Sequence, residues 1–316
     1  MLGRTASSLF WMSRYNERTQ NVTRLLDVAY RGAIMSHSGQ EDGAHWTFAL
    51  ANAGCESGYQ EKYDELHIRH MIAYMIFSKE NPTSVRSCLE LARNNARAVR
   101  TGITAELWEA INTTWIEFVE VSPQSVTQDK LPDFLAWVNQ RGHLFRGALL
   151  NTILRDDGYF FSQMGNFVER ADNTARILDT QYWSLLPDNT IIEDGVAERY
   201  QWSAILRALS SRRSYRFAYP NSRLNAFNIA EFLILRSEMP RSLAHCCDWI
   251  ADTAEDLAQF YGSREPSLDM AADLTRELTE KQMHEIYRQG LHEFLTDFIG
   301  RNNQFAHQLS LDYNFA

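Results

Sequence analysis

The residues best suited to chemistry are carboxylates and guanidiniums set at helical spacing inside otherwise apolar segments. "NERTQNVTRLLD" (16–27) and "VERADNTARILD" (168–179) each contain a Glu-Arg pair, followed at equal intervals by an asparagine and an arginine: Glu17, Arg18, Asn21 and Arg24, then Glu169, Arg170, Asn173 and Arg176. At about 100° per residue, Arg14, Glu17, Asn21 and Arg24 fall on one stripe of a helix, beside an apolar side made by Trp11, Tyr15, Val22, Leu25 and Leu26. Two chemistries are open to such a stripe. Glu17 and Glu169 could be catalytic, each a general acid or base whose carboxyl is perturbed in a closed pocket. Alternatively, Arg18, Asn21, Arg24, Arg170, Asn173 and Arg176 form a structural ion network around the two glutamates. Glu17 would then meet Arg176 and Glu169 would meet Arg24, because an unpaired buried charge costs several kcal/mol.

A second constellation is basic. In "LARNNARAVR" (91–100), Arg93, Arg97 and Arg100 recur on one helical face with Asn94 beside them. Three neighbouring guanidiniums repel unless acids or a bound anion compensate, and their forks match carboxylate and phosphate. The ladder is expected, with Arg14, to line a cleft for an anionic group; the alternative is an Arg face that is simply solvated, or paired with internal acids such as Glu90, Glu106 or Glu109. Arg155 and Asp156 of "RDDG" (155–158) could line the same cleft or cap the helix that follows. Asp64, His67 and His70 form only a weak metal pattern, and His284, His292 and Glu293 lack ligand spacing. There is no ferritin-like pair of Glu-x-x-His helices, Gly-rich phosphate loop, Gly-x-Ser-x-Gly elbow or cysteine beside an evident base, so no cofactor and no metal are expected.

The elements that must position these groups are helices. Only 7 prolines and 15 glycines interrupt segments with apolar residues three and four apart, and no stretch sustains strand-like alternation. The spacing predicts an all-α bundle with helices over 5–38, 62–79, 82–100, 105–119, 131–154, 159–184, 197–210, 223–236, 240–262 and 268–312, the last broken near Gly290 or Gly300. Asn81 followed by Pro82, and Thr104 followed by Glu106, read as helix starts.

The chain also repeats itself. Residues 12–27 align without gaps to 164–179, matching at Met12/Met164, Glu17/Glu169, Arg18/Arg170, Asn21/Asn173, Arg24/Arg176, Leu26/Leu178 and Asp27/Asp179. Glu80, Pro82, Ser84, Cys88 and Ala96 recur 158 residues later as Glu238, Pro240, Ser242, Cys246 and Ala254. Phe134, Leu135, Arg141, Phe145 and Leu149 recur after 160 as Phe294, Leu295, Arg301, Phe305 and Leu309. Apolar periodicity alone does not reproduce shared Glu-Arg and Asn positions. The matches therefore predict one helical domain over 1–316, made of tandem repeats at about 1–155 and 156–316 with pseudo-twofold symmetry. The ladder is not repeated: its counterparts are Ala251, Glu255 and Ala258.

Composition narrows the partners. An apolar fraction of 45% supports a packed core, and a net charge of −9 argues against a general nucleic-acid or anionic-membrane surface. Apolar runs such as "MIAYMIF" (71–77) are too short to span a bilayer, and no export signal opens the chain. Four cysteines without metal or disulfide spacing, two of them adjacent at Cys246 and Cys247, fit a reducing cytoplasm.

"WMSRYNERTQNVTRLLDV" (11–28), "NPTSVRSCLELARNNARAVRTGITAELWEAIN" (81–112) and "LRDDGYFFSQMGNFVERADNTARILD" (154–179) together resemble the alpha-E family of bacterial proteins over essentially the whole length. "RDDGYFF" is a variant of a family pattern that more often reads Arg-Asp-x-Gly-Trp. The resemblance implies an all-helical protein encoded beside a circularly permuted ATP-grasp ligase and a transglutaminase-like peptidase, sometimes with a proteasome-like hydrolase. It marks Arg14, Glu17, Arg18, Asn21, Arg24, Arg93, Asn94, Arg97, Arg100, Glu106, Trp108, Asn112, Arg155, Asp156, Gly165, Glu169, Arg170, Asp172 and Arg176 as characteristic positions. The expected function is that of a partner to an amide- or peptide-forming ligase, binding the ligase, a carboxylated peptide, or both. The rival expectation is an enzyme using Glu17 or Glu169.

Overall fold

The Glu17 stripe lies midway along α1 (Gly3–Met35), where every residue from Thr19 to Leu26 is buried. A run of eight consecutive buried residues covers all sides of a helix, so α1 is surrounded rather than laid on a surface. The computed structural model describes residues 1, 3–35, 42–185, 195–220 and 222–315. Among them every regular element is a helix, as the apolar spacing predicts, and none is long and apolar enough to cross a membrane. Residues 36–38 of the expected first helix lie outside the described residues.

The chain divides into two compact units: 1–166 with 314–316, and 167–313. In unit 1, α1 packs against α2 (Asp42–Asn52), α5 (Val85–Ala98) and α7 (Leu131–Thr152), and α6 (Ala105–Glu120) lies between α5 and α7 in contact with both. Two short helices, α3 (Glu56–Gln60) and α4 (Ile68–Met71), complete the connection from α2 to α5. The C-terminal Phe315 belongs to this unit and lies 5.5 Å from the Phe10 ring and 5.7 Å from that of Phe161.

Three local expectations need correction here. The stretch between the first two predicted helices contains α2 and α3, with Trp46, Ala49, Leu50 and Tyr59 in the core. The helix expected over 62–79 starts only at Ile68, because His67 takes the cap position and its Nδ1 accepts from the Arg69 N–H at 3.1 Å. Beyond α4 it widens into a π-helical segment, Ile72–Phe77.

Finally, α5 does not start at Pro82. Asn81 Oδ1 is engaged by the Thr83 N–H at 3.0 Å and the Thr83 hydroxyl at 2.8 Å, which holds a turn, and Ser84 caps the helix by accepting from the Ser87 N–H at 3.0 Å. In unit 2, Ser242 does the same for α12 (Leu243–Tyr261), accepting from the His245 N–H at 3.0 Å. Both serines are fully buried. Ser84→Ala and Ser242→Ala are each expected to lower unfolding free energy by about 1–2 kcal/mol in urea titrations.

The unit boundary falls inside α8 (Asp157–Leu185). Unit 2 continues with α9 (Gly195–Ala208), α10 (Arg212–Ala218), α11 (Ala226–Ile234) and α12. It closes with α13 (Pro266–Glu280), α14 (Met283–Gln289) and α15 (Leu291–Asp312). Here α13 packs on α12 and α15, while α11 touches α9, α12 and α14. The segment over 268–312, expected to break once, near Gly290 or Gly300, is thus three helices. It breaks at Lys281–Gln282, where Glu285 accepts from the Gln282 N–H at 2.8 Å, and at Gly290, whose φ of +106° suits glycine; Gly300 causes no break. In unit 1 Arg141 of α7 donates to Glu117 of α6, and in unit 2 Arg301 of α15 donates to Glu277 of α13. Both residues of the second pair, and both ends of α15, are numbered 160 above their unit 1 counterparts.

Candidate functional site

Glu17 is closed off from solvent and held by two guanidiniums. Arg146 of α7 donates to Oε2 at 2.5 Å, and Arg24, two helical turns further along α1, approaches Oε1 to 3.6 Å. Arg146 also reaches Asn166 Oδ1 at 3.4 Å. Arg146 had no place in the pairing expected from the sequence, since its counterpart 160 residues on is Ala306. The nearby cavity between α1, α5, α6 and α7, which touches Asn16, Thr19 and Arg141, measures about 20 Å³. That is room for one water, not a substrate.

In unit 2, Glu169 and Arg170 are 2% and 4% exposed, and Asn173 is buried beside them. Arg170 donates to the Pro240 carbonyl at 3.1 Å and lies 5.0 Å over the Phe167 ring, while Thr174 donates to the Arg241 carbonyl at 2.8 Å. Arg176 closes its fork on Asp172 at 2.7 and 3.1 Å. The α8 stripe thereby fixes the turn that leads into α12. In α1, Arg14 is only 8% exposed, with its guanidinium 4.7 Å over Trp11, and Arg18 lies over Tyr15. Arg14, expected at a cleft with the ladder, is thus drawn in among aromatic rings; Asn21 is buried as well.

The basic ladder is different in kind. Arg93 Nε donates to Asn112 Oδ1 of α6 at 2.8 Å. Arg100 falls beyond the end of α5, in the 3-10 turn Arg100–Gly102, and stacks 5.0 Å over Trp108. Arg97 and Asn94 point to solvent. A fourth member escaped the sequence reading: Arg86, seven residues before Arg93, lies 5.6 Å over Trp115. Its signal was present, since a seven-residue interval is two helical turns, and Trp108, Asn112 and Trp115 share one face of α6 at four- and three-residue spacing. The seam therefore alternates guanidinium with indole or amide. Among the described residues, none of Arg86, Arg93, Arg97 and Arg100 forms an ion pair with a carboxylate, so pairing with Glu90, Glu106 or Glu109 is not what balances them.

Asp156 caps α8, accepting from the Gly158 and Tyr159 N–H groups at 3.0 and 3.3 Å, while exposed Arg155 lies over Tyr159. No group of three or more His, Cys, Asp or Glu able to hold a metal occurs among the described residues. His67 serves as the α4 cap, His70 stacks on Tyr63 with ring centres 4.5 Å apart, and His292 meets Asp179 at 2.5 Å. All four cysteines are buried free thiols.

Helices throughout, Glu-Arg pairs sunk into the longest of them, and a basic seam without acidic partners define a class of helical proteins recognised by that dipeptide. The chain belongs to the Alpha-E family, described as a predicted alpha-helical domain with a conserved ER motif, which matches residues 1–313. Glu17-Arg18 and Glu169-Arg170 fit that motif. The chain is 24% identical over 317 residues to uncharacterized proteins of Mycobacterium bovis and Mycobacterium tuberculosis, covering 94% of this chain. It spans 35% of the length of those relatives. No solved structure matches it.

Proposed function

We propose that this chain is a cytoplasmic helical accessory of an amide- or peptide-forming ATP-grasp ligase, and that the α5–α6 seam receives a carboxylate or acyl-phosphate group of the ligase's peptide substrate. The observation that carries this is the set of four guanidiniums with no carboxylate partner, in a chain whose net charge is −9. Acids are abundant, yet the seam is left uncompensated. Stacking on Trp108 and Trp115 orients two of the planar forks and leaves their N–H edges for a ligand. Buried free thiols suit a reducing compartment, and relatives about three times as long suit a body that works beside another domain. The ligase itself is what the family resemblance implies.

Glu17 fits this reading as structure rather than as an acid or base, because its carboxylate is closed off from solvent between two guanidiniums. The repeated Glu-Arg segments, serine caps 158 apart and Arg–Glu pairs 160 apart support an origin by duplication, after which one copy alone acquired the ladder.

Calorimetric titration of the chain with a glutamate-terminated peptide, inorganic phosphate and ADP tests the seam. Binding of at least one anion is expected, and Arg97→Lys, which keeps charge but loses the fork, should weaken it about tenfold with an unchanged melting temperature. Absence of binding by the unaltered chain would overturn the proposal.

A further inference from the structure

A separate cleft of about 660 Å³ opens in unit 1 between the α4–π segment and the connection from α6 to α7. Its volume is within the roughly 300–1,000 Å³ of small-molecule sites. One wall is the π-helical turn, a rare element often found where a chain makes room for a ligand. The floor is apolar, formed by Ile72, Phe77 and Val126, and Ala73 at the wall leaves the mouth wide. The rim carries one charge of each sign. Arg69 and Asp129 both line the cleft, and among the described residues neither forms an ion pair. Thr127 donates its hydroxyl to Asp129 and holds that carboxyl below the usual range, so it is charged at neutral pH. His67 spends Nδ1 on the Arg69 N–H, which leaves the N–H of its neutral ring on Nε2 as a further donor at the rim.

We infer that this cleft binds a short apolar peptide with both ends free, its carboxylate taken by Arg69 with His67, its ammonium by Asp129, and its side chains by Ile72, Phe77 and Val126. A simple anion would leave Asp129 opposed to it, and a simple cation would leave Arg69 so. A neutral hydrophobe would leave both charges without use. A zwitterion with an apolar body answers both charges and the apolar floor. The inference stands apart from the α5–α6 seam and does not depend on it.

The test is calorimetry on the full chain with the dipeptide Leu-Leu, its N-acetyl form and its C-terminal amide. Leu-Leu should bind, and each blocked form should bind about tenfold more weakly or worse. In Arg69→Ala the amide and the free acid should bind alike, and in Asp129→Asn the acetylated and free forms should bind alike. Ala73→Trp, with helical circular dichroism intact, should abolish binding by filling the mouth. No binding of Leu-Leu at millimolar concentration, equal binding of the blocked forms, or full binding by Ala73→Trp would each overturn the inference.

Discussion

Glu17→Ala is expected to lower the unfolding free energy by about 3–5 kcal/mol. The carboxylate has no solvent exposure, Arg24 is 8% exposed, and both it and Arg146 are oriented by Glu17. Removing the acid takes the buried countercharge from between two guanidiniums, of which Arg146, at 29% exposure, can turn partly to water. Arg24 cannot. Glu17→Gln keeps an acceptor but loses the charge and should fall between alanine and the unaltered chain. Urea titration followed by tryptophan fluorescence measures this. A Glu17→Ala chain that unfolds at the same urea concentration as the parent would mean that the pair adds nothing to stability.

Gly165→Ala should destabilise by about 1–3 kcal/mol, at the upper end of that range. The ordinary expectation has the opposite sign, because alanine inside a helix is preferred over glycine by roughly 0.5–1 kcal/mol. Here a Cβ would overlap the Phe10 carbonyl oxygen and lie 2.9 Å from its carbonyl carbon. The obstacle is backbone within α1, which cannot rotate away as a side chain could. Gly300, also helical but with open space around its Cβ, is the internal control: Gly300→Ala should be neutral or stabilising. Equal behaviour of the two variants in thermal melts would show that α1 and the start of α8 are not in the close approach described.

Much of the helical plan was legible because burial on one side imposes three- and four-residue spacing, and because the stop at Gly262, with φ of +67°, and the start at Pro266 punctuate it. Helix starts were less legible. Asn81-Pro82 has the chemistry of a start, yet Ser84 won, since its hydroxyl satisfies both the Ser87 N–H and the Ser78 carbonyl, the latter at 2.6 Å. The break at Lys281–Gln282 carries neither glycine nor proline, and only the Gln282–Glu285 interaction marks it. For the site, the stripe of Glu17 and the ladder were visible as spacing, but their partners were not. Arg146 belongs to a helix more than a hundred residues away in sequence, and no periodicity links it to Glu17. Arg14 and Arg97 look alike in sequence, whereas packing buries one over Trp11 and leaves the other in water.

The proposed service to a ligase through the α5–α6 seam is tested most directly by the rate of amide formation by a candidate ATP-grasp ligase, with and without this chain. Adding the chain should raise the rate, and adding Arg97→Lys in its place should recover only a small part of that gain. A rate that is the same with no chain, the parent chain and the Arg97→Lys chain would contradict the account.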